Sequence, residues 1–165
     1  MPSESITPSA ELDNYDIAIL KILQVDNTVP QRVIGEKVHL SAAAVQRRIR
    51  RMEDDGVIIG HVALVDPVRV GRPITIVVEV DMESEQAVLL DAAKKSFLAD
   101  PDVQQCYYVA GDADFVLIVT VASMDDYQAL TRRLFFNNAN VKRFRTLVVM
   151  DKIKAALSVP VGGRP

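Results

Sequence analysis

Cysteine is nearly absent from this chain. The 165 residues include a single one, Cys106, so neither a disulfide framework nor a multi-thiolate zinc site can be built. Histidine is almost as scarce. His39 and His61 stand far apart in the sequence, which argues against a histidine-based metal centre. No glycine-rich phosphate loop, cofactor motif or recognisable nucleophile–base arrangement occurs, so no catalytic residue, metal ligand or cofactor is assigned. No apolar run approaches the ~18 residues of a membrane span. Met1 to Ala10 lacks a basic stretch followed by an apolar one, and the expectation is a reducing cytoplasmic compartment without membrane attachment. A charge excess is missing too: the formal net charge is −3. The chain is therefore no nucleic-acid-coating polycation, and any nucleic-acid site has to be a local patch.

What is present is apolar residues, at 49% of the chain against 25% charged. That mixture buries a core and argues against disorder. Periodicity changes near Gly60. Before it, apolar positions recur at helical spacing; after it, short β-branched runs alternate with two amphipathic stretches.

In the first part Asp13 is a good N-cap, with Asp16 three residues on favouring the positive end of the helix dipole. Ile17, Ile19, Leu20, Ile22 and Leu23 supply the apolar face. Pro30 stands where a second helix of roughly Gln31 to Val38 begins, and Gly35 would let another helix approach closely. After His39-Leu40, Ser41 caps a third helix from Ala42 to about Asp55, which Gly56 stops. Three such helices, the last two joined by a tight turn, form a helix-turn-helix unit.

The later residues read as strand, helix, strand, strand, helix, strand. The strands are expected at 74–80, 103–110, 115–122 and 141–150, and the helices at Glu85 to Leu98 and Asp125 to Phe136. In the first helix Val88, Leu89, Ala92 and Phe97 are the expected packing residues. The order βαββαβ is that of the ferredoxin-like plait. The fold class is thus α+β: a helix-turn-helix domain over 1–59, a linker over 60–73 with an extra strand at 61–65, and a plait domain over 74–165. Its tail, 158–165, is expected to be loose. The run Val116-Leu117-Ile118-Val119 suggests that both sheet faces are buried. A copy of the same chain is the simplest cover for the second face, giving a homodimer.

On a wheel of about 100° per residue, Val45, Ile49 and Met52 form the inward stripe of the third helix. Ala43, Arg47 and Arg50 lie opposite, with Gln46 and Arg51 at the sides and Arg48 nearest the core rim. Small Ala43 and Ala44 permit close approach to base edges. Gln46 can make paired hydrogen bonds with adenine and arginine with guanine, while arginines further along meet phosphates. With the cap Ser41, these residues form the candidate DNA-contact set: Ser41, Ala43, Ala44, Gln46, Arg47, Arg50 and Arg51. The competing reading of four arginines between Arg47 and Arg51 is a solvated helix face. The capped turn before them and the confinement of Glu53, Asp54 and Asp55 to the far end favour DNA.

Taken in order, Leu12-Asp13…Asp16, Leu40-Ser41, Val45…Arg48…Arg51-Met52-Glu53…Gly56-Val57-Ile58…Gly60 and Gly111-Asp112-Ala113-Asp114 resemble the Lrp/AsnC (feast/famine) family of transcription regulators, from about Leu12 to Val159. The resemblance implies a winged-helix-like DNA-binding domain and a plait that dimerises and senses small molecules, typically amino acids. It also implies dimers assembled into tetramers or octamers. By matching positions, the effector would be met by Tyr108, Val109, Ala110, Gly111, Asp112, Asp114, Met124, Leu147, Val148 and Val149. From composition alone the Gly111–Asp114 stretch is a plain turn, and Met124 with Val148-Val149 reads equally well as ordinary core. The chain departs from the family pattern at His39, where glycine is usual, at Pro30, at Ala42 to Ala44, and at Tyr108, bulkier than the expected aliphatic residue. The function expected is sequence-specific transcription regulation modulated by a small effector. The alternatives are a DNA-organising protein of low sequence preference, an effector-independent local autoregulator and, against the motif inventory, an enzyme using Asp112 and Asp114.

Overall fold

The structure, a computed structural model, describes residues 11–162. These form two units: residues 11–63 together with 155–162, and residues 64–154. The expectations for Met1 to Ala10 and for the last three residues of the tail lie outside the described residues.

The first unit holds α1 (Asn14–Leu23), α2 (Gln31–Val38) and α3 (Ala42–Asp54). Asp13 and Asp16 close a capping box on α1. The Asp16 N–H donates to the Asp13 carboxylate at 2.9 Å and the Asp13 N–H to that of Asp16 at 3.1 Å. At the end of α2, His39 takes the left-handed conformation, φ 58° and ψ 43°, which histidine tolerates better than most residues. The Leu40 N–H then returns to the Gly35 carbonyl at 2.9 Å. Gly35 is required by this turn, not by another helix: a Cβ there would stand 2.4 Å from the Leu40 carbonyl oxygen. Ser41 accepts from the Ala44 N–H at 3.2 Å to start α3, and Gly56, at φ +70°, follows its end. Ile19, Leu20, Ile34, Val38, Val45 and Met52 are the buried core.

The tail differs from expectation. The Gln24 side chain donates to the Val159 carbonyl at 3.0 Å and accepts from its N–H at 2.7 Å, and Val161 packs on the helical core. One amide thus satisfies both backbone groups of an exposed residue, and the tail through residue 162 is tied to the helices. The extra strand expected at 61–65 does not form. Among the described residues no neighbouring strand offers it a ladder, and Val62, Leu64 and Val65 are exposed.

The second unit runs β1 (Ile74–Met82), α4 (Ala87–Ala99), β2 (Val103–Tyr108), β3 (Phe115–Val121), α5 (Met124–Thr131) with a π-helical turn at Arg132–Phe136, and β4 (Val141–Val148). The sheet order is β2-β3-β1-β4, every pair antiparallel, which is the ferredoxin-like plait. One face buries Ile76, Val78, Val80, Phe115, Leu117, Val119 and Val121 with Phe97, Leu130 and Phe135. The packing stripe of α4 is Leu90, Ala93 and Phe97, while Val88, Leu89 and Ala92 face outward. The run Ala87-Val88-Leu89-Leu90 offers two overlapping stripes, and the Phe97 ring, 5.3 Å from that of Phe115, selects the other one. Among the described residues no helix is long and apolar enough to cross a membrane.

Candidate nucleic-acid interface and effector site

Burial of Val45 and Met52 fixes the roll of α3 and turns Ala43, Gln46, Arg47 and Arg50 outward, all exposed; Ser41 is exposed and Ala44 half-buried. Among the described residues Arg47 and Arg50 have no ion-pair partner. They present two guanidinium groups with a side-chain amide on one flank, the donor set that suits base edges and phosphates.

The other two arginines are engaged. Asp16 is fully buried, and its oxygens accept from Arg48 at 2.9 Å and from Arg51 at 2.5 Å. Arg48 also donates to Asp13 at 2.6 Å and lies 5.2 Å from the centre of the Tyr15 ring. The Asp16 N–H, followed by Arg48, holds the Asp13 carboxyl below its ordinary value. Hydrogen bonds to Asp13 and Asp16 push Arg48 up. Arg48 is thus a fastener between α1 and α3, in keeping with its place at the core rim. Sequence reasoning missed Asp16 in this role. The matched spacing of three, Asp13 to Asp16 and Arg48 to Arg51, was the signal available.

The ten effector candidates fall into two groups. Tyr108 to Asp114 lie in the β2–β3 hairpin, beside the Val80 end of β1. Leu147, Val148 and Val149 pair near Val77, Ile76 and Thr75 at the opposite end of that strand, and Met124 follows the same end of β3. Val77, Ile76 and Thr75 are three to five residues from Val80, about 10–17 Å along the strand at ~3.3 Å per residue, and β1 stands between the hairpin strands and β4, so one chain does not bring the two groups together. In the hairpin, the Asp114 carboxylate accepts from the Met82 N–H at 2.6 Å, where the β1–β4 register shifts. Asp112 is exposed. The Tyr108 ring rests 5.1 Å from Phe115 and 5.0 Å from the Lys94 ammonium. Tyr108, Met124, Leu147 and Val148 are all substantially exposed and Val149 is half-buried, so Met124, Val148 and Val149 are not the ordinary core residues they can be read as. Cys106 is exposed as well, and the partial desolvation that remains pushes its thiol up.

On the sheet face away from the helices, Val77 stands beside Ile118 and Leu147, and Val116 beside Tyr107. None of these five is buried. Arg145–Glu79 and Arg143–Asp81 ion pairs cross β4 and β1 on that face. Among the described residues of one chain only the helix-bearing sheet face is covered.

A cleft of about 260 Å³ elsewhere is lined by Arg72, Asp102, Ala122, Asp126, Ala129 and Arg133, none of them an effector candidate. Its arginines are occupied. Arg133 donates to Asp100 at 2.5 and 3.0 Å and to Asp102 at 2.5 Å, and Arg72 pairs with Asp102 and the Thr120 carbonyl. Burial pushes the Asp100 carboxyl up, but the bonds from Arg133 and the Asp102 N–H leave it below the ordinary value.

Comparison with known proteins gives a consistent assignment. The winged helix-turn-helix DNA-binding profile matches residues 12–59 and the Lrp/AsnC ligand binding domain profile residues 75–159. An uncharacterized helix-turn-helix-type transcriptional regulator of Sinorhizobium fredii is 44% identical over 92% of this chain and 89% of its own. The crystal structure of an AsnC family transcriptional regulator from Agrobacterium tumefaciens superposes with a TM-score of 0.85 at 33% identity, covering 90% of this chain and 97% of that one. A Neisseria meningitidis transcriptional regulator solved as a complex with L-Met has the same fold, with a TM-score of 0.85 at 24% identity and 90% and 96% coverage.

Proposed function

The chain belongs to the Lrp/AsnC family of helix-turn-helix, DNA-binding transcription regulators, and from that premise we propose that α3 is its reading element, that the working unit is a homodimer, and that an amino acid modulates it. The observation that carries the first part is the outward face of α3: Gln46, Arg47 and Arg50 exposed over the buried Val45 and Met52. Ala43 and Ala44 allow the helix start to approach base edges, the N-terminus that Ser41 caps faces the backbone, and Arg51 flanks the set.

Dimerisation uses the open sheet face. Val77, Tyr107, Val116, Ile118 and Leu147 give it an apolar centre beside the Arg145–Glu79 and Arg143–Asp81 pairs, the pattern of an interface with a polar rim. Two reading helices then meet half-sites about one helical turn, ~34 Å, or a multiple of it apart. Tetramers or octamers follow if dimers associate further.

The effector reading rests on the ligand binding domain profile, on the L-Met complex of the Neisseria relative, and on the separation of the hairpin from the Leu147–Val149 group. Two half-sites at opposite ends of one sheet become one pocket when different copies supply them. Exposed Asp112 and free backbone N–H groups of the hairpin suit the charged ends of an amino acid, while Met124, Leu147 and Val148 suit its side chain. The protein acts in the cytoplasm, where its DNA is.

A gel-shift titration on the duplex upstream of the chain's own reading frame, with competitor DNA, tests the function. Retention of the complex against excess competitor supports sequence-specific regulation, and equal competition identifies an organiser of low sequence preference. Screening the twenty amino acids by thermal shift tests the effector; no shift with any of them identifies an effector-independent regulator.

A further inference from the structure

Among the described residues Asp16 is the one fully buried carboxylate of the helical unit, and it lies under the flank of α3. A buried carboxylate is costly unless paired. Asp13 already caps α1 by accepting from the Asp16 N–H, and apolar residues would join two helices as well. What a carboxylate adds at this point is a hold on two arginines.

It holds them differently. Arg48 is 24% exposed, and its Nη1 serves Asp13 and Asp16 together. Arg51 is 48% exposed and gives Asp16 only Nη2. Its remaining donors belong to a rigid planar fork and lie one turn along α3 from Arg47. Asp16 is beneath the surface with both oxygens occupied, so an approaching anion meets the guanidinium and not the carboxylate.

We propose that Asp16 is a positioning residue for DNA binding: it grips one nitrogen of Arg51 so that the rest of the fork stands ready for a backbone phosphate. The proposal rests on the reading of α3 as the DNA-facing helix. An arginine ordered before binding spares the complex the entropy of ordering it, and a fork held at one edge keeps the direction of its other donors.

The test is a salt titration of full-length protein on a random-sequence duplex, since phosphate contacts ignore sequence. Wild type, Arg51→Gln, Asp16→Asn and the double variant are compared. Arg51→Gln is expected to flatten the slope of log K against log[salt] by about 0.9, the loss of one phosphate. Asp16→Asn is expected to keep the slope and weaken binding about threefold, the cost of ordering one long side chain. In the Arg51→Gln background it is expected to do nothing more. Equal weakening by Asp16→Asn in both backgrounds would make Asp16 merely structural and overturn the proposal, as would an unchanged slope for Arg51→Gln. If Asp16→Asn does not fold, Arg51→Lys replaces it: one ammonium cannot grip Asp16 and a phosphate with fixed geometry, so wild-type affinity for this variant overturns the proposal. Arg47→Ala and Arg50→Ala separate the two failures. If they flatten the slope and Arg51→Gln does not, only the role of Asp16 and Arg51 is lost; if none does, the reading of α3 falls with it.

Discussion

The helical unit carries its candidate site on one element, whereas the sheet unit divides its own between two ends of one sheet. On α3 the contact residues lie within eleven positions, Ser41 to Arg51, and their directions are set once Val45 and Met52 are buried. In the plait, the hairpin and the Leu147–Val149 group are held apart by several residues along β1 and by β1 itself standing between their strands. The difference follows from the two periodicities. Helix neighbours are three and four residues apart, so a helix face is complete in one chain. A sheet site depends on pairing between distant segments and, at an open face, on another molecule.

The comparison can be broken most severely by removing core volume from one unit at a time. Ile34→Ala in the helical core and Phe97→Ala in the plait core are each expected to cost about 2–5 kcal/mol. Denaturant unfolding followed by far-ultraviolet dichroism measures the loss. Ile34→Ala should abolish DNA binding with the assembly retained, and Phe97→Ala should lose the assembly first. Next in size is truncation of the reading face. Arg47→Ala and Arg50→Ala should each weaken binding to an enriched duplex by about 1–3 kcal/mol, with the mass in solution by light scattering unchanged. Ile118→Arg sharpens the sheet side of the contrast. A charge on the open face should dissociate the dimer by sedimentation and remove any amino-acid thermal shift, while the melting temperature of the monomer stays within a few degrees, a surface change being worth about 0.5 kcal/mol or less.

The smallest effect is that of acid, and it has the same sign in both units. The Asp13 and Asp100 carboxyls are held below their ordinary 3.8 in the folded chain. Their stabilisation is therefore complete above that value and is lost as the pH falls through and below it. Thermal melts from neutral to acidic pH should show a declining midpoint on the acid side, and a midpoint that rises there would contradict the ion pairs.

Local chemistry is what the chain announced in its sequence. The caps Asp13 and Ser41, the left-handed His39 and the stop at Gly56 each depend on a few neighbouring residues, and the plait order follows from alternation within short runs. What stayed hidden involves distant partners. The Asp16 grip joins residues 32 and 35 apart, and the tail is tied by a contact spanning 135. The linker at 61–65 carries a strand pattern, but among the described residues no strand pairs with it. The α4 face was ambiguous until the Phe97 ring chose it. In the candidate sites, the outward residues of α3 were legible because burial of one stripe exposes the other. The turned-back Asp114 was not, because its acceptor role depends on where β1 changes register.

The central claim, that the outward face of α3 enters the major groove, is tested most directly by affinity cleavage. Cys106 is the sole cysteine, so Cys106→Ser with Ala43→Cys gives a single attachment point for an iron chelate at the start of α3. On a duplex enriched for binding by the full-length protein, the account predicts paired cuts in the major groove at two positions related by the dimer. Cuts scattered along the duplex, or none while the complex remains bound, would contradict it.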